Sequence, residues 1–157
     1  CFGIDGTRNQ LPTLGHVTYS HLKNAYFENA RGLLDGGADA LLVETSQDLL
    51  QIKAAINGAR KAILENDRDV VLIAQVTVET TGTMLLGSEI GAALNSISAL
   101  GVDLIGLNCA TGPAEMSEHL RYLSKNTLAQ ISVMPNANGS HTATSSTPSR
   151  EPRTRAW

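Results

Sequence analysis

Between Thr13 and Pro135 the chain alternates short apolar runs with longer segments whose apolar residues recur at helical spacing. Val70 to Val78 is the clearest of the runs, β-branched and flanked by charge, and it reads as a buried strand. Near-continuous apolar strands alternating with amphipathic helices argue for a parallel sheet covered by helices, which limits the fold to α/β. Leu22, Ala25, Tyr26, Ala30, Leu33 and Leu34 predict a first helix, stopped by Gly36-Gly37. Ala38 to Glu44 follows as a strand. Ser46 is placed to cap a second helix with the stripe Leu49, Ile52, Ile56, Ala59 and Ile63. Ile90, Ala93, Leu94 and Ile97 mark a third helix, and Val102 to Asn108 a further strand. Pro113 fits the first turn of a fourth helix carrying Met116, Leu120 and Leu123, and Gln130 to Met134 is one more strand.

No strand is followed by a glycine-rich dinucleotide or Walker-type loop, so motifs alone leave an open doubly wound sheet and a closed (β/α)8 barrel both standing. A complete barrel takes about 250 residues. The 157 residues here hold roughly five βα units of about 30 residues each. A barrel reading therefore makes the chain a piece. The ends agree with that: Cys1-Phe2-Gly3-Ile4-Asp5 starts abruptly without a methionine. From Asn138 the sequence loses apolar periodicity and becomes rich in Ser, Thr, Pro and Arg, which predicts a disordered tail over 138–157. A net charge of −3 gives no footprint for nucleic acid. No apolar run approaches the roughly 20 residues of a membrane helix, and no signal peptide opens the chain, so the expectation is a cytoplasmic protein.

Polar residues collect at the strand ends: Glu44, then Thr77 and Glu79, then Asn108-Cys109, and Asn136 after the last strand. In a parallel sheet these ends share one face, where α/β proteins do chemistry. Glu44 is placed either to serve the next helix amino terminus or to bind a substrate ammonium group. Cys109 is either a small buried hydrophobe or a thiol favoured as thiolate by the helix starting near Pro113. His16, His21, His119 and His141 are scattered and form no spaced ligand set with Cys109. Met84, with Leu85 and Leu86, reads as core packing.

Four motifs stand in order: Gly36-Gly37-Ala38-Asp39-Ala40-Leu41-Leu42-Val43-Glu44-Thr45, Val76-Thr77-Val78-Glu79-Thr80-Thr81-Gly82-Thr83-Met84, Gly106-Leu107-Asn108-Cys109-Ala110-Thr111-Gly112-Pro113 and Met134-Pro135-Asn136-Ala137. Together they resemble the homocysteine-binding domain of cobalamin-dependent methionine synthases, most closely the actinobacterial type, over about Gly3 to Ala137. The resemblance implies a partial (β/α)8 TIM barrel holding roughly strands three to seven, with residues 1–137 as the barrel piece. It implies a zinc held by three thiolates, where homocysteine is deprotonated before attack on methylcobalamin carried by a separate domain. Cys109 matches the first zinc ligand. Glu44 matches a carboxylate suited to the substrate amino group, and Asn136 an asparagine near the same substrate. The implied partners are homocysteine and the cobalamin- and folate-binding domains of a parent chain.

The chain also departs from the family. The other two thiolates belong to a Gly-Gly-Cys-Cys motif that is absent, as are the first two strands. The third-strand pattern Gly-Ser-x-Gly-Pro is replaced by Gly3-Ile4-Asp5-Gly6-Thr7, and similarity stops after Asn136-Ala137-Asn138-Gly139. That sudden stop reads as a reading-frame slip, which sequencing the DNA through codon 138 in all three frames tests. A lone thiolate cannot hold catalytic zinc tightly, so the isolated chain is expected to be inactive. Three alternatives remain: a cobalamin-independent thiol methyltransferase of the same family, a non-catalytic amino-acid-binding module, and a coding artefact with no function.

Overall fold

The computed structural model describes residues 11–136. The altered third-strand motif and the tail from Asn138 lie outside the described residues. A short 3-10 turn at Pro12–Leu14 precedes α1 (Tyr19–Asp35), β1 (Ala40–Ser46), α2 (Leu49–Asn66), β2 (Val71–Val76), α3 (Ile90–Ser98), β3 (Leu104–Asn108), α4 (Pro113–Asn126) and β4 (Gln130–Met134). The strands form one parallel sheet in the order β1-β2-β3-β4. Each strand lies beside its successor, with a helix between, and the order never reverses. A doubly wound sheet reverses at its switch point. The unbroken order is that of a stretch of barrel wall.

Alternation along the strands assigns the two faces. Leu41, Val43, Leu72, Ala74, Val76, Ile105 and Leu107 are buried and join the core formed with the helices. Leu42, Glu44, Ile73, Gln75, Leu104, Gly106 and Asn108 point to the opposite face, which lines the interior of a barrel. The α2 helix packs on both the sheet and α1, so two of its faces are buried, from Gln51 and Ile52 to Ala62, while Arg60, Lys61, Leu64 and Glu65 stay exposed. Gly58 permits the close approach of α1: a β-carbon there would lie 2.5 Å from the Lys23 carbonyl oxygen.

The helix starts follow local chemistry. Thr18 caps α1, its hydroxyl accepting from the His21 N–H. The cap of α2 is Asp48, not Ser46. A bulge between Val43 and Ser46 lengthens β1 by two residues beyond Glu44 and leaves Ser46 buried inside the strand. Asp48 is buried as well. Its carboxylate accepts from Leu50 N at 2.8 Å, Thr13 N at 3.0 Å and Thr13 Oγ1 at 2.6 Å. It thus satisfies the helix start and ties down the Pro12 turn. Removing it in Asp48→Ala is expected to cost about 3 kcal/mol, from a lost cap plus charge-assisted hydrogen bonds. The thermal midpoint read by circular dichroism should fall by roughly 6–12 °C. An unchanged midpoint would show that these bonds contribute nothing net.

The β2 ladder is shorter than the apolar run suggests. Pairing ends at Val76, while Val78 stays buried as the chain enters the turns around Glu79 and Met84. Of the expected core run Met84-Leu85-Leu86, Met84 is fully buried, but Leu85 is exposed and Leu86 half-buried, because the chain turns here between Met84 and Gly87. No described helix is long and apolar enough to cross a membrane.

Candidate functional site

The carboxyl ends of β1, β2 and β3 meet at Asn108, its side chain reaching β1 and its backbone carbonyl the segment after β2. Its Oδ1 accepts from the Thr45 N–H at 2.9 Å, and its Nδ2 donates to Thr45 Oγ1 at 2.7 Å. Nδ2 also lies 3.2 Å from Cys109 Sγ. From β2, the Thr77 hydroxyl donates to the Asn108 carbonyl oxygen at 3.2 Å. Asn108 and Thr77 are both buried, so the polar groups satisfy one another away from water. Glu44 is half-buried at the end of β1, one residue before Thr45. The amino terminus of α2 is capped by Asp48, which takes the capping role open to Glu44 in the sequence.

Cys109 leaves β3 in a left-handed turn. Its φ is 57° and that of Ala110 is 56°. The Cys109 N–H still donates to the Met134 carbonyl of β4, and the sulfur stands 3.9 Å from Thr45 Oγ1. Gly112 then caps α4 with no side-chain hydrogen bond, and Pro113 occupies its first turn. Asn136 is drawn in by its backbone, its N–H donating to the Thr111 carbonyl at 3.4 Å. Cys109 and Asn136 therefore sit on adjoining segments after β3 and β4. Glu79 is carried away into the turn with Thr83, to which its N–H donates.

One strand step deeper, Gln75 Nε2 donates to Ser132 Oγ at 2.8 Å. The two residues flank Gly106, which pairs with both in the sheet register. The Gln75 Oε1 atom is buried without a hydrogen-bond partner. Thr45, Gln75 and Ser132 had no assigned role in the sequence. A glutamine at an interior-facing position of a buried strand was the available signal for the pair across Gly106.

The donor set is limited. Among the described residues Cys109 is the free cysteine, and no three His, Cys, Asp or Glu side chains come together to hold a metal. Catalytic zinc takes three protein ligands plus an open position. The described residues do not fit such a centre on their own; they present one soft donor.

A family model described as homocysteine S-methyltransferase matches residues 3–156. The chain is 64% identical over 135 residues to the methionine synthase of Mycobacterium tuberculosis. The identity to that of Mycobacterium leprae is also 64% over 135 residues. Each match covers 86% of this chain and 11% of the relative, so the chain spans a small part of those proteins. Among solved structures, the metallated form of the homocysteine methyltransferase MmuM from Escherichia coli aligns with a TM-score of 0.68 at 19% identity, covering 85% of this chain and 44% of that one. The apo form aligns with a TM-score of 0.65 at 20% identity, covering 78% and 44%. At those identities the likeness shows the fold, and the fold is a partial (β/α)8 barrel.

Proposed function

The chain belongs to the homocysteine S-methyltransferase family, and on that premise we propose that it is a piece of the homocysteine-binding barrel of a methionine synthase. The observation that carries this reading is the β3 end. There Asn108-Cys109 is hydrogen-bonded to the β1 end beside Glu44, in a chain 64% identical to two methionine synthases. The 64% identity to two methionine synthases favours that branch over the cobalamin-independent alternative.

In this reading Cys109 supplies one of three thiolate ligands of a catalytic zinc, and the other two come from polypeptide outside residues 11–136. Zinc, when bound by the full set, stabilises a substrate thiolate at neutral pH. Glu44, half-buried at the strand end, offers a carboxylate to the ammonium group of homocysteine. Asn136, held to Thr111 through its backbone, would approach the same substrate from the β4 side. In this reading methylcobalamin on a separate domain would supply the methyl group, and a folate-binding domain would belong to the same parent chain. A cytoplasmic location belongs to this reading.

A lone thiol also favours a second reading of the 157 residues as they stand: an amino-acid-binding module without metal chemistry. Calorimetry separates the two. The barrel-piece reading expects no saturable zinc binding tighter than micromolar, because one thiolate gives up most of the free energy of a closed ligand set. It expects no homocysteine binding in the absence of the missing wall. Homocysteine binding that is independent of zinc would replace it with the module reading. Tight stoichiometric zinc binding would contradict both.

A further inference from the structure

Two residues at the strand ends hold an unfavourable backbone. Thr45 has φ of 59° and Cys109 of 57°, with Ala110 at 56°. Left-handed backbone is uncommon outside glycine, and for a β-branched residue such as threonine it is an outlier. Such conformations persist only where the surroundings over-determine them, and they cluster where a group must be aimed.

One side chain touches both strained residues. The Asn108 amide accepts from the Thr45 N–H and spends its two N–H donors on Thr45 Oγ1 and Cys109 Sγ. The Asn108 backbone is fixed in turn, because its carbonyl accepts from Thr77 and the residue ends β3 in register with Met134. Amide geometry matters here. An aspartate would keep the acceptor and lose both donors, and a serine is too short to span the distance from β3 to β1.

We propose that Asn108 is a positioning residue that clamps Thr45 and Cys109 together in left-handed backbone and turns the Cys109 sulfur toward β1, the strand that carries Glu44. The role deepens the substrate-site reading given above and rests on it for its purpose. The geometry itself needs neither substrate nor metal. The Thr45–Asn108 contact spans 63 positions of sequence, so the sulfur's orientation is set by strand register and not by the local turn alone.

The test is nuclear magnetic resonance on the isotopically labelled 157-residue chain without zinc or homocysteine. The unsubstituted chain is expected to show a single Cys109 side-chain rotamer, with unaveraged Hα–Hβ couplings, and two resolved, slowly exchanging Asn108 amide protons. Cys109→Ala should shift one of those protons and Thr45→Val the other. Asn108→Ala alone leaves Thr45 strained and is expected to loosen the fold. Adding Thr45→Gly removes that strain, so N108A/T45G is expected to fold with averaged Cys109 couplings, whereas Thr45→Gly alone keeps the single rotamer. A single Cys109 rotamer in N108A/T45G would overturn the clamp, as would averaged couplings in the unsubstituted chain. If N108A/T45G does not fold, the shifts decide: an Asn108 amide unmoved by Cys109→Ala overturns the proposal. The substrate reading is judged separately, by calorimetry, so each can fail without the other.

Discussion

Gly106→Ala is expected to abolish cooperative folding of the chain. A β-carbon at Gly106 would lie 1.6 Å from the Ser132 carbonyl oxygen and 2.6 Å from its carbonyl carbon. Both atoms are backbone of the paired strand β4, so no side chain can swing aside. Accommodating the methyl group means prising β3 from β4, at more than about 4 kcal/mol, which places it among the exceptional single substitutions. A domain has roughly 5–15 kcal/mol in all. The same change disturbs the Gln75–Ser132 hydrogen bond that crosses this glycine. Far-ultraviolet circular dichroism during heating should show no sharp transition. A melting curve within a few degrees of the unsubstituted chain would mean that the β3–β4 pairing is not as close as described.

Cys109→Ser is expected to have the largest effect on chemistry. Its setting is a chimera in which residues 11–136 replace their counterpart in the Mycobacterium tuberculosis methionine synthase. Serine nearly keeps the size of the side chain, and keeps the N–H donated to Met134 and an acceptor for Asn108. What it loses is the soft, ionisable donor. Loss of an outer partner of a metal ligand costs about 10–100-fold, so loss of a ligand itself is expected to cost at least ~100-fold in methyl transfer. Bound zinc, measured by atomic absorption, should fall with it. Glu44→Gln in the same chimera should raise the KM for homocysteine with zinc content unchanged if Glu44 holds the substrate ammonium group as proposed. A fully active Cys109→Ser chimera would remove Cys109 from the ligand set.

Much of the fold is legible in the chain because the strands are short, apolar and β-branched, while the helices carry their stripes at helical spacing. Pro113 and the helix it starts are read correctly for the same local reason. The errors come where tertiary structure overrides local preference. Ser46 and Asp48 are both good caps, and only the bulge after Val43 decides between them, by drawing Ser46 into β1. The β2 run continues in sequence to Val78 because burial outlasts strand pairing. At the site, Glu44, Cys109 and Asn136 are visible as polar residues closing or following apolar strands. Thr45 is not, since its partner Asn108 is 63 positions away and its left-handed backbone leaves no mark in composition. Periodicity alone leaves the sheet open or part of a barrel; the four motifs imply the barrel through the family they resemble, and the strand order β1-β2-β3-β4 agrees.

The most direct measurement of the central claim is methyl transfer by the unsubstituted chimera. If residues 11–136 form the β1–β4 wall of a methionine synthase's homocysteine-binding barrel, the chimera should bind zinc and convert homocysteine to methionine at a rate within about tenfold of the parent, a difference of no more than about 1.4 kcal/mol in barrier. A chimera that folds, holds zinc and makes no methionine would contradict that account.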